Sequence, residues 1–419
     1  MIKAQDRIFQ NLQNKEGIAL EQSKKQGDWS EFDSFLRREK EDLFDIISSS
    51  RLRERDRKSK LVSEKWQTFF EKEEESFLVI DGSRGIPGDT VSVQLMTYEA
   101  YKIIEGAVLT AFILGIDVGY IYVPALQKES IQIIKKALRE SYAAHFLGNN
   151  IQGTDFSFHL HLHFGSSEYV SYTESSLVSS LAGKSQEVGL LFEKPVLVHK
   201  VETIATIPTI LRRGGDWFSS LGTLESTGTK VFSISGHVNK PCIIEEALGI
   251  PLKTMLDYHA GGVRGGWPHL NAVFPNGASD SFLPKPLCDE VLLSYEGLSS
   301  SSSLGNGAVV VVNRSVDLEK VVLTFLQFFL QASSSHCIFC VKKVAWCAEI
   351  LENLIKTSPE EDRELIIKKM KSLSDEVEKE CLCGQAEQSL SSMKGLFKYY
   401  YKSVLEKVDQ SPIFVQEHR

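Results

Sequence analysis

Two cysteines at C-x-x-C spacing, Cys337 and Cys340, lie in the segment "SSSHCIFCVKKVAWC" at residues 333–347. Thiolates at this spacing are typical ligands of zinc or of an iron–sulfur cluster, and either site needs two more ligands. Cys347 follows Cys340 by seven residues. On a continuous helix that separation is about 10 Å along the axis, too far to share one cluster. Other parts of the chain must therefore complete any metal site here.

The composition indicates a globular, multidomain protein. Of the 419 residues, 42% are apolar and 24% are charged, and the formal net charge is −8. This balance favours a large core and argues against a nucleic-acid-binding surface, which requires a basic face. No apolar run is long enough for a signal peptide or a bilayer span, which predicts a soluble, intracellular chain without direct membrane insertion. The odd count of seven cysteines favours a reducing compartment over a disulfide framework.

Hydrophobic periodicity divides the chain into four parts. Residues 1–75 have helical periodicity with many charges. In residues 76–227, strands such as "SFLVIDG", "GYIYVP" and "FSFHLHLHFG" alternate with helices, which predicts an α/β domain with a mostly parallel sheet. Residues 228–315 contain short strands with Gly and Pro turns, and residues 316–419 are helical. We therefore expect a β-rich domain followed by a helical bundle that carries five of the cysteines.

Six segments are specific enough to indicate a family. They are "DRIFQNL" (6–12), "GDW" (27–29), "GTKVFSISGHVNKPC" (228–242), "HAGGVRGGW" (259–267), "LGNGAVVVV" (304–312) and the cysteine-containing helix. In this order they resemble the NADH-binding flavoprotein subunit of respiratory complex I, the NADH:quinone oxidoreductase, over essentially the whole chain, and they indicate a divergent member of that family.

The resemblance implies an architecture and an activity. It implies an N-terminal helical segment (1–75), a Rossmann-like FMN/NADH-type domain (76–227), a β-grasp-like domain (228–315) and a helical bundle with a [4Fe–4S] cluster (316–419). The family transfers hydride from NADH to FMN and then passes single electrons to the cluster, so that the cofactors carry the chemistry.

The flavin-binding loop differs from the family pattern. The family has G-R-G-G-x-G-F-P-x-G ahead of a Lys–Trp pair, and its glycines let backbone amides approach the cofactor. Counted back from Lys65 and Trp66, the same span reads "ERDRKSKLVS" at residues 54–63 and has no glycine. The Asn–Asn pair that contacts the flavin in the family is replaced by His199–Lys200. Charged side chains are therefore expected where the family has an open cradle.

Three further family positions are kept. By resemblance, Lys65, Glu174 and Glu202 are cofactor-binding positions, although Lys65 is also explained as a surface lysine beside a buried tryptophan. No catalytic residue is assigned from the sequence. The loop that faces NADH in the family is shortened to "KSQE" at residues 184–187.

The cluster motif of the family is S-C-G-x-C-x-x-C with a distant fourth cysteine. Cys337 and Cys340 match its second and third cysteines, and Cys381 in "ECLCGQA" matches the distant one. Ser334 replaces the first ligand. Alternatives for the fourth position are Cys383 and His336, and a further alternative is that the thiols are ordinary core residues.

Two interpretations follow for the activity. The chain is either a homologue that keeps the fold and the docking surfaces with a degraded FMN/NADH pocket, or an active electron-entry subunit that passes electrons from NADH through FMN and a [4Fe–4S] cluster toward quinone. A separate ligand-binding protein is the third class. The resemblance implies docking on a thioredoxin-like small subunit and other peripheral-arm subunits, on the cytoplasmic or mitochondrial matrix side of the inner membrane.

The replaced ligand at Ser334 generates a prediction about cluster stability. An alkoxide forms less readily than a thiolate at neutral pH, so a site with three cysteines should hold a labile cluster. Anaerobically reconstituted protein should take up iron and sulfide and lose them in air. Ser334→Cys should stabilise the cluster and Cys381→Ala should abolish it, as measured by iron analysis and low-temperature EPR. If even Ser334→Cys takes up no iron, the bundle is an ordinary apolar core.

Overall fold

The chain folds into a parallel-sheet domain, a mixed-sheet domain and a helical bundle, preceded by short helices. The computed structural model describes residues 1–14, 19–70, 74–83, 86–165, 174–183, 189–331, 338–356, 360–380 and 384–402. Ser334, Cys337, Cys381, Cys383 and His336 lie outside these residues.

Short helices precede the first strand. They are α1 (Gln10–Asn14), α2 (Leu20–Lys25), α3 (Phe32–Phe35), α4 (Lys40–Ser50) and α5 (Val62–Phe70). Their apolar residues, including Phe9, Trp29 and Trp66, are buried in the same core as the helices of the first sheet. The N-terminal segment is therefore part of the first domain's core and not an appendage.

The first domain is an α/β unit. Its elements are β1 (Phe77–Asp81), α6 (Val91–Tyr98), α7 (Ala100–Leu114), β2 (Val118–Pro124), α8 (Lys128–Ala143), β3 (His159–Gly165), α9 (Glu174–Ala182), β4 (Leu190–Leu191), β5 (Lys194–Lys200), α10 (Val201–Arg213) and α11 (Gly215–Ser219). The strand order is β3-β2-β1-β5-β4, parallel except for β4. This topology confirms the α/β prediction.

The second domain contains a mixed sheet. Its elements are β6 (Thr229–Gly236), β7 (Cys242–Ala247), β8 (Ile250–Pro251), α12 (Leu252–His259), β9 (Leu270–Phe274), β10 (Leu283–Pro284), α13 (Lys285–Cys288), β11 (Leu292–Leu293), α14 (Tyr295–Leu298) and β12 (Ala308–Asn313). The strand order is β10-β9-β12-β6-β7, and β12 is parallel to β6.

The third part is the predicted bundle. It contains α15 (Leu318–Gln331), α16 (Ile338–Lys356), α17 (Glu360–Glu380) and α18 (Gly384–Gly395), followed by a π-helical turn at Leu396–Tyr400. Its apolar side chains pack on Phe274 of β9 and Val312 of β12, so that the bundle shares a core with the second sheet. None of the described helices has both the length and the apolar character that a bilayer span requires.

A single glycine sets the distance between the two central helices. Gly106 lies in the middle of α7, and all fifteen residues of this helix are buried. A Cβ atom at Gly106 would overlap the carbonyl oxygen of Ile204 on α10. The absence of a side chain therefore lets α7 and α10 pack with their backbones in contact.

Gly106→Ala should destabilise the protein, against the trend of helix propensity. Alanine is favoured over glycine by about 1 kcal/mol inside a helix, but here the methyl group must push α10 away. We expect the free energy of unfolding in urea to fall by about 2 kcal/mol, as for overpacked cores. Gln132→Ala on the exposed face of α8 is the matched control and should change it by less than about 0.5 kcal/mol. A stabilised Gly106→Ala variant would contradict this packing.

Candidate functional site

The sequence-predicted cluster ligands are not tested by the structure. Of these positions only Cys340 lies within the described residues, in the first turn of α16. Cys347, which the helical spacing excluded, is fully buried in the bundle core, and burial raises the pKa of its thiol to about 12. Within the described residues, no three His, Cys, Asp or Glu side chains are arranged to hold a metal ion.

The carboxyl edge of the first sheet is the place where this topology positions a ligand. β1 lies between β2 and β5, so the chain order reverses between β1 and β5. In open α/β sheets the crevice at such a switch point is the usual binding site. Three segments converge on this edge, namely the loop after β1, the junction of β5 with α10, and the charged loop at residues 51–61 that precedes α5.

Glu54 from the charged loop lies at the N-terminus of α10. One carboxylate oxygen, Oε1, accepts hydrogen bonds from the backbone N–H of Lys200 (3.1 Å) and the hydroxyl of Thr203 (2.6 Å). Glu54 is 2% exposed. A helix N-terminus presents free N–H groups and a positive dipole end, which favour an anion. The carboxylate of Glu54 therefore lies at the N-terminus of this helix, bonded to the N–H of the N-cap residue Lys200.

The other oxygen of Glu54, Oε2, accepts a hydrogen bond from the ring of His199. Trp66 Nε1 donates to His199 Nε2 at 2.8 Å, and His199 Nδ1 contacts Glu54 Oε2. Because Nε2 accepts the indole N–H, the ring proton is assigned to Nδ1, which donates to the carboxylate. All three side chains are buried. The predicted core tryptophan thus belongs to a buried hydrogen-bonded chain.

Lys65 is part of the same network. Its Nζ donates to Val198 O (2.6 Å) and to Glu174 Oε1 (2.9 Å), and lies 3.5 Å from Glu54 Oε2. The side chain is 16% exposed. The interpretation of Lys65 as a surface lysine is therefore wrong, because two carboxylates and a carbonyl hold its ammonium group at the sheet edge.

These contacts shift the pKa of both partners. Burial raises the pKa of Glu54, but His199 and Lys65 outweigh that effect and hold the pKa below its ordinary value. Burial lowers the pKa of Lys65, but Glu54 and Glu174 outweigh it and raise the pKa. Both side chains are therefore charged at neutral pH.

Arg55 joins the loop to the second domain. Its guanidinium donates to Thr229 O (2.6 Å) and to the hydroxyl of Tyr295 (3.0 Å), and its Nε lies 3.6 Å from Glu202 Oε1. The side chain is fully buried. Glu202 accepts the N–H of Val231 at 2.8 Å. The structure thus turns Glu202 toward β6 of the second domain, separate from the Lys65–Glu174 pair.

Lys200 lies at the end of β5 among acidic side chains. Its Nζ is 2.5 Å from Asp81 Oδ2 at the end of β1. Burial lowers the pKa of Lys200, but Asp81 outweighs this and raises the pKa, with smaller contributions from Asp56 and Asp89. Burial raises the pKa of Asp56 and of Asp89. Three acidic side chains, Asp56, Asp81 and Asp89, therefore surround the ammonium group of Lys200 at the end of β1.

Arg57 extends the charged loop toward the bundle. Its Nε lies 3.6 Å from Asp280 Oδ2, and its Nη1 lies 3.2 Å from Glu387 Oε1 in the first turn of α18. The loop that replaces the family's glycine loop thus contacts the first sheet, the second domain and the bundle.

Sequence reasoning did not assign roles to Glu54, Arg55, Asp81 or Asp89. For Glu54 and Arg55 the signal was the glycine-free run "ERDRKSK" at residues 54–60. That run predicted charged side chains at the crevice but not their distant partners, such as His199 and Thr203, which lie 145 and 149 residues from Glu54 in the chain.

Family models match the chain in three regions. Residues 47–209 match the Nuo51 FMN-binding domain, residues 230–312 match the SLBB domain, and residues 320–407 match the NADH-ubiquinone oxidoreductase-F iron-sulfur binding region. The three regions follow the order of the sheet domain, the mixed-sheet domain and the bundle.

Curated relatives match nearly the whole chain. The F subunit of NADH-quinone oxidoreductase from Rickettsia bellii is 34% identical over 420 residues, covering 97% of this chain and 100% of the relative. The protein of the same description from Rickettsia typhi is 33% identical, covering 97% and 99%. A solved NAD+-reducing [NiFe]-hydrogenase in the H2-reduced state has a TM-score of 0.74 at 21% identity, covers 88% of this chain, and shows a shared fold. This chain spans 63% of that hydrogenase chain.

Fold and matched regions together define an NADH-dehydrogenase type of protein with an FMN-binding-type domain and an iron–sulfur-type region. The chain belongs to the family of the NADH-quinone oxidoreductase F subunit, which is the complex I flavoprotein subunit. The family indicated by the sequence motifs is confirmed.

Glu54→Gln should test the buried network. The amide presents an N–H₂ group to donors and carries no charge opposite Lys65, so we expect the free energy of unfolding to fall by about 3 kcal/mol, as when one partner of a buried pair is removed. Urea unfolding at pH 7 measures this. The exposed Glu64→Gln on α5 is the control and should change it by less than about 0.5 kcal/mol.

In the same variant, Glu54→Gln, the free energy of unfolding should depend less on pH in the acid range than in the wild type. A carboxyl group with a lowered folded-state pKa stabilises the protein above its unfolded pKa of about 4.3, and this stabilisation is lost as the pH falls toward the folded value. The difference between wild type and Glu54→Gln should therefore shrink below about pH 4. A difference that is constant from pH 7 to pH 3 would place Glu54 outside the ionised network.

Proposed function

We propose that this chain is a non-catalytic homologue of the complex I flavoprotein subunit, which keeps the scaffold and its assembly surfaces while its own side chains close the cofactor crevice. The observation that carries this proposal is the position of Glu54. Its carboxylate lies at the N-terminus of α10 and at the switch point of the sheet, where it accepts the N–H of Lys200 and the hydroxyl of Thr203.

The cationic side chains at this edge are not available to the phosphate of FMN. Arg55 and Lys230 pair with Glu202, Lys65 pairs with Glu54 and Glu174, and Lys200 pairs with Asp81. FMN carries a phosphate, and phosphate sites are built from free backbone N–H groups and an excess of positive charge. The residues described at this edge therefore do not fit FMN.

Buried side chains of the protein also occupy the crevice at the carboxyl edge of the first sheet. Glu54, Arg55, His199 and Lys230 are each no more than 2% exposed, and they are held by hydrogen bonds or ion pairs to one another and to the backbone. A flavin ring would have to displace several buried charges, each of which needs a partner to remain in the interior. A refolded loop is required before the family's reaction could occur here.

The function that we propose for this chain is assembly with other subunits. The relatives are named as subunits of an oxidoreductase. The segment "HAGGVRGGW" at residues 259–267, which resembles the family, lies in the second domain and exposes Gly261, Arg264, Gly265 and Gly266. The segments "FSISG" and "AVVVV" lie in the mostly buried strands β6 and β12, which support this surface from within. We propose that this surface docks on a thioredoxin-like small subunit and other peripheral-arm subunits, which would place the chain at the cytoplasmic or matrix side of the inner membrane.

A second candidate function is the family's own reaction, electron entry from NADH through FMN and a [4Fe–4S] cluster. The observation in its favour is that Lys65 and Glu174, two predicted cofactor positions, lie 2.9 Å apart at the sheet edge. In this case the loop at residues 51–61 would open when the cofactor binds.

One experiment separates the two functions. We expect the chain, co-expressed with the thioredoxin-like small subunit, to co-purify with it, to lack flavin absorbance and to show no NADH:ferricyanide reductase activity. Added FMN should not raise the melting temperature of the complex, because ligands that bind the native state stabilise it. The Rickettsia bellii relative, purified in the same way, serves as the comparison.

A yellow complex with stoichiometric flavin that oxidises NADH would overturn the non-catalytic proposal. Failure to co-purify with the small subunit, with a folded chain by circular dichroism, would overturn the assembly part.

A further inference from the structure

A charged cleft lies near the C-terminal end of α10, away from the network at the N-terminus of that helix. Its volume is about 200 Å³, and it is lined by the N-terminal segment, the loop at residues 26–30, and residues of α7 and α10. The motif "DRIFQNL" contributes Arg7 to the cleft, and the motif "GDW" contributes Asp28. The proposed function assigns no role to either motif.

Buried carboxylates hold the N-terminal wall of the cleft in place. Glu245 accepts the backbone N–H groups of Ile8 and Phe9, each at 2.9 Å to Oε2. Glu99 accepts the N–H groups of Asn11 (2.9 Å) and Leu12 (3.2 Å). Because these bonds fix the backbone on both sides of Gln10, the wall is organised before any ligand binds.

The charges at the back of the cleft are paired internally. Lys102 forms an ion pair with Asp28. Arg212 lies 2.5 Å from Glu105, which also accepts the N–H of Trp29 at 3.0 Å. These groups are therefore neutralised by one another and do not require a ligand.

Two guanidinium groups at the mouth have no carboxylate within ion-pair distance in the part of the chain that the structure describes. Among the described residues Arg7 forms neither an ion pair nor a side-chain hydrogen bond, and Glu245 attracts it only at longer range. Arg213 donates to Gln5 O (2.8 Å) and lies over the ring of Trp217 (4.7 Å). Arginine presents several N–H donors in a planar fork that matches a carboxylate. These two guanidinium groups are therefore available to a ligand carboxylate at the mouth of the cleft.

One buried acceptor also lacks a partner among the described residues. Asn11 lines the cleft and is 2% exposed. Its Nδ2 donates to Glu99 at 3.1 Å, and its Oδ1 accepts no hydrogen bond from the described residues. A buried acceptor without a donor costs free energy, so a ligand hydroxyl that reached it would be favoured.

We propose that this cleft is a binding site for a small hydroxylated carboxylate, with a carboxylate group held by Arg7 and Arg213 and the hydroxyl directed toward Asn11. A volume of 200 Å³ corresponds to about seven water molecules. This is below the range of roughly 300–1,000 Å³ that is typical of drug-sized ligands, and it favours a small one. The site is independent of the crevice at the carboxyl edge and of whether FMN binds there.

Calorimetric titration of the full chain with malate, succinate and malamide tests the site. Malate should bind, succinate should bind more weakly because it lacks the hydroxyl, and neutral malamide should give no signal. Arg7→Gln should weaken malate binding by about tenfold or more, as expected for the loss of a charged hydrogen bond. Arg38→Gln, a change at an exposed arginine outside the cleft, should leave the dissociation constant unchanged.

Arg213→Gln provides a second variant, because it lies at the rim and its loss should weaken malate binding even if Arg7→Gln disturbs folding. Absence of malate binding to the wild type would overturn the proposal, as would equal effects of Arg7→Gln, Arg213→Gln and Arg38→Gln. Binding of malamide as tight as that of malate would show that the carboxylate is not recognised.

Discussion

The buried carboxylate of Glu54 is the interaction on which the arrangement of the first domain depends. A carboxylate in the interior is tolerated only when donors and positive charge surround it. Glu54 obtains these from the N-terminus of α10, from His199 at the end of β5, and from Lys65 on α5. Because one group receives all these contacts, the loop, two helices and a strand are held in one geometry.

The same carboxylate joins the sheet edge to the rest of the molecule. It accepts hydrogen bonds from the backbone N–H of Lys200 and the hydroxyl of Thr203 at the N-terminus of α10. Arg55 and Arg57 of the same loop bind the second domain and the bundle. Moving this loop away from the sheet edge would therefore break contacts among three parts of the molecule.

Buried carboxylates that accept backbone N–H groups recur in this protein. Glu99 and Glu245 hold the N-terminal segment in this way. Burial raises the pKa of Glu99 to about 7 and also raises the pKa of Glu245, whereas the pKa of Glu54 is lowered. The difference arises because Lys65 and His199 contact Glu54 directly, while the contacts of the other two are mostly neutral donors.

The sequence alone determined the succession of elements, the parallel sheet, the family and the loss of the glycine loop, because periodicity, strand–helix alternation and motif spacing are local properties. The spacing of Cys340 and Cys347 along one helix predicts that they do not share a cluster, since a helix fixes the distance between positions on it. Only the tertiary structure decided that Lys65 lies in a network, that Gly106 lets α7 pack closely on α10, and that Arg7 and Asp28 line one cleft. These contacts join residues far apart in the chain, and local patterns predict which face of an element is buried but not which distant partner meets it.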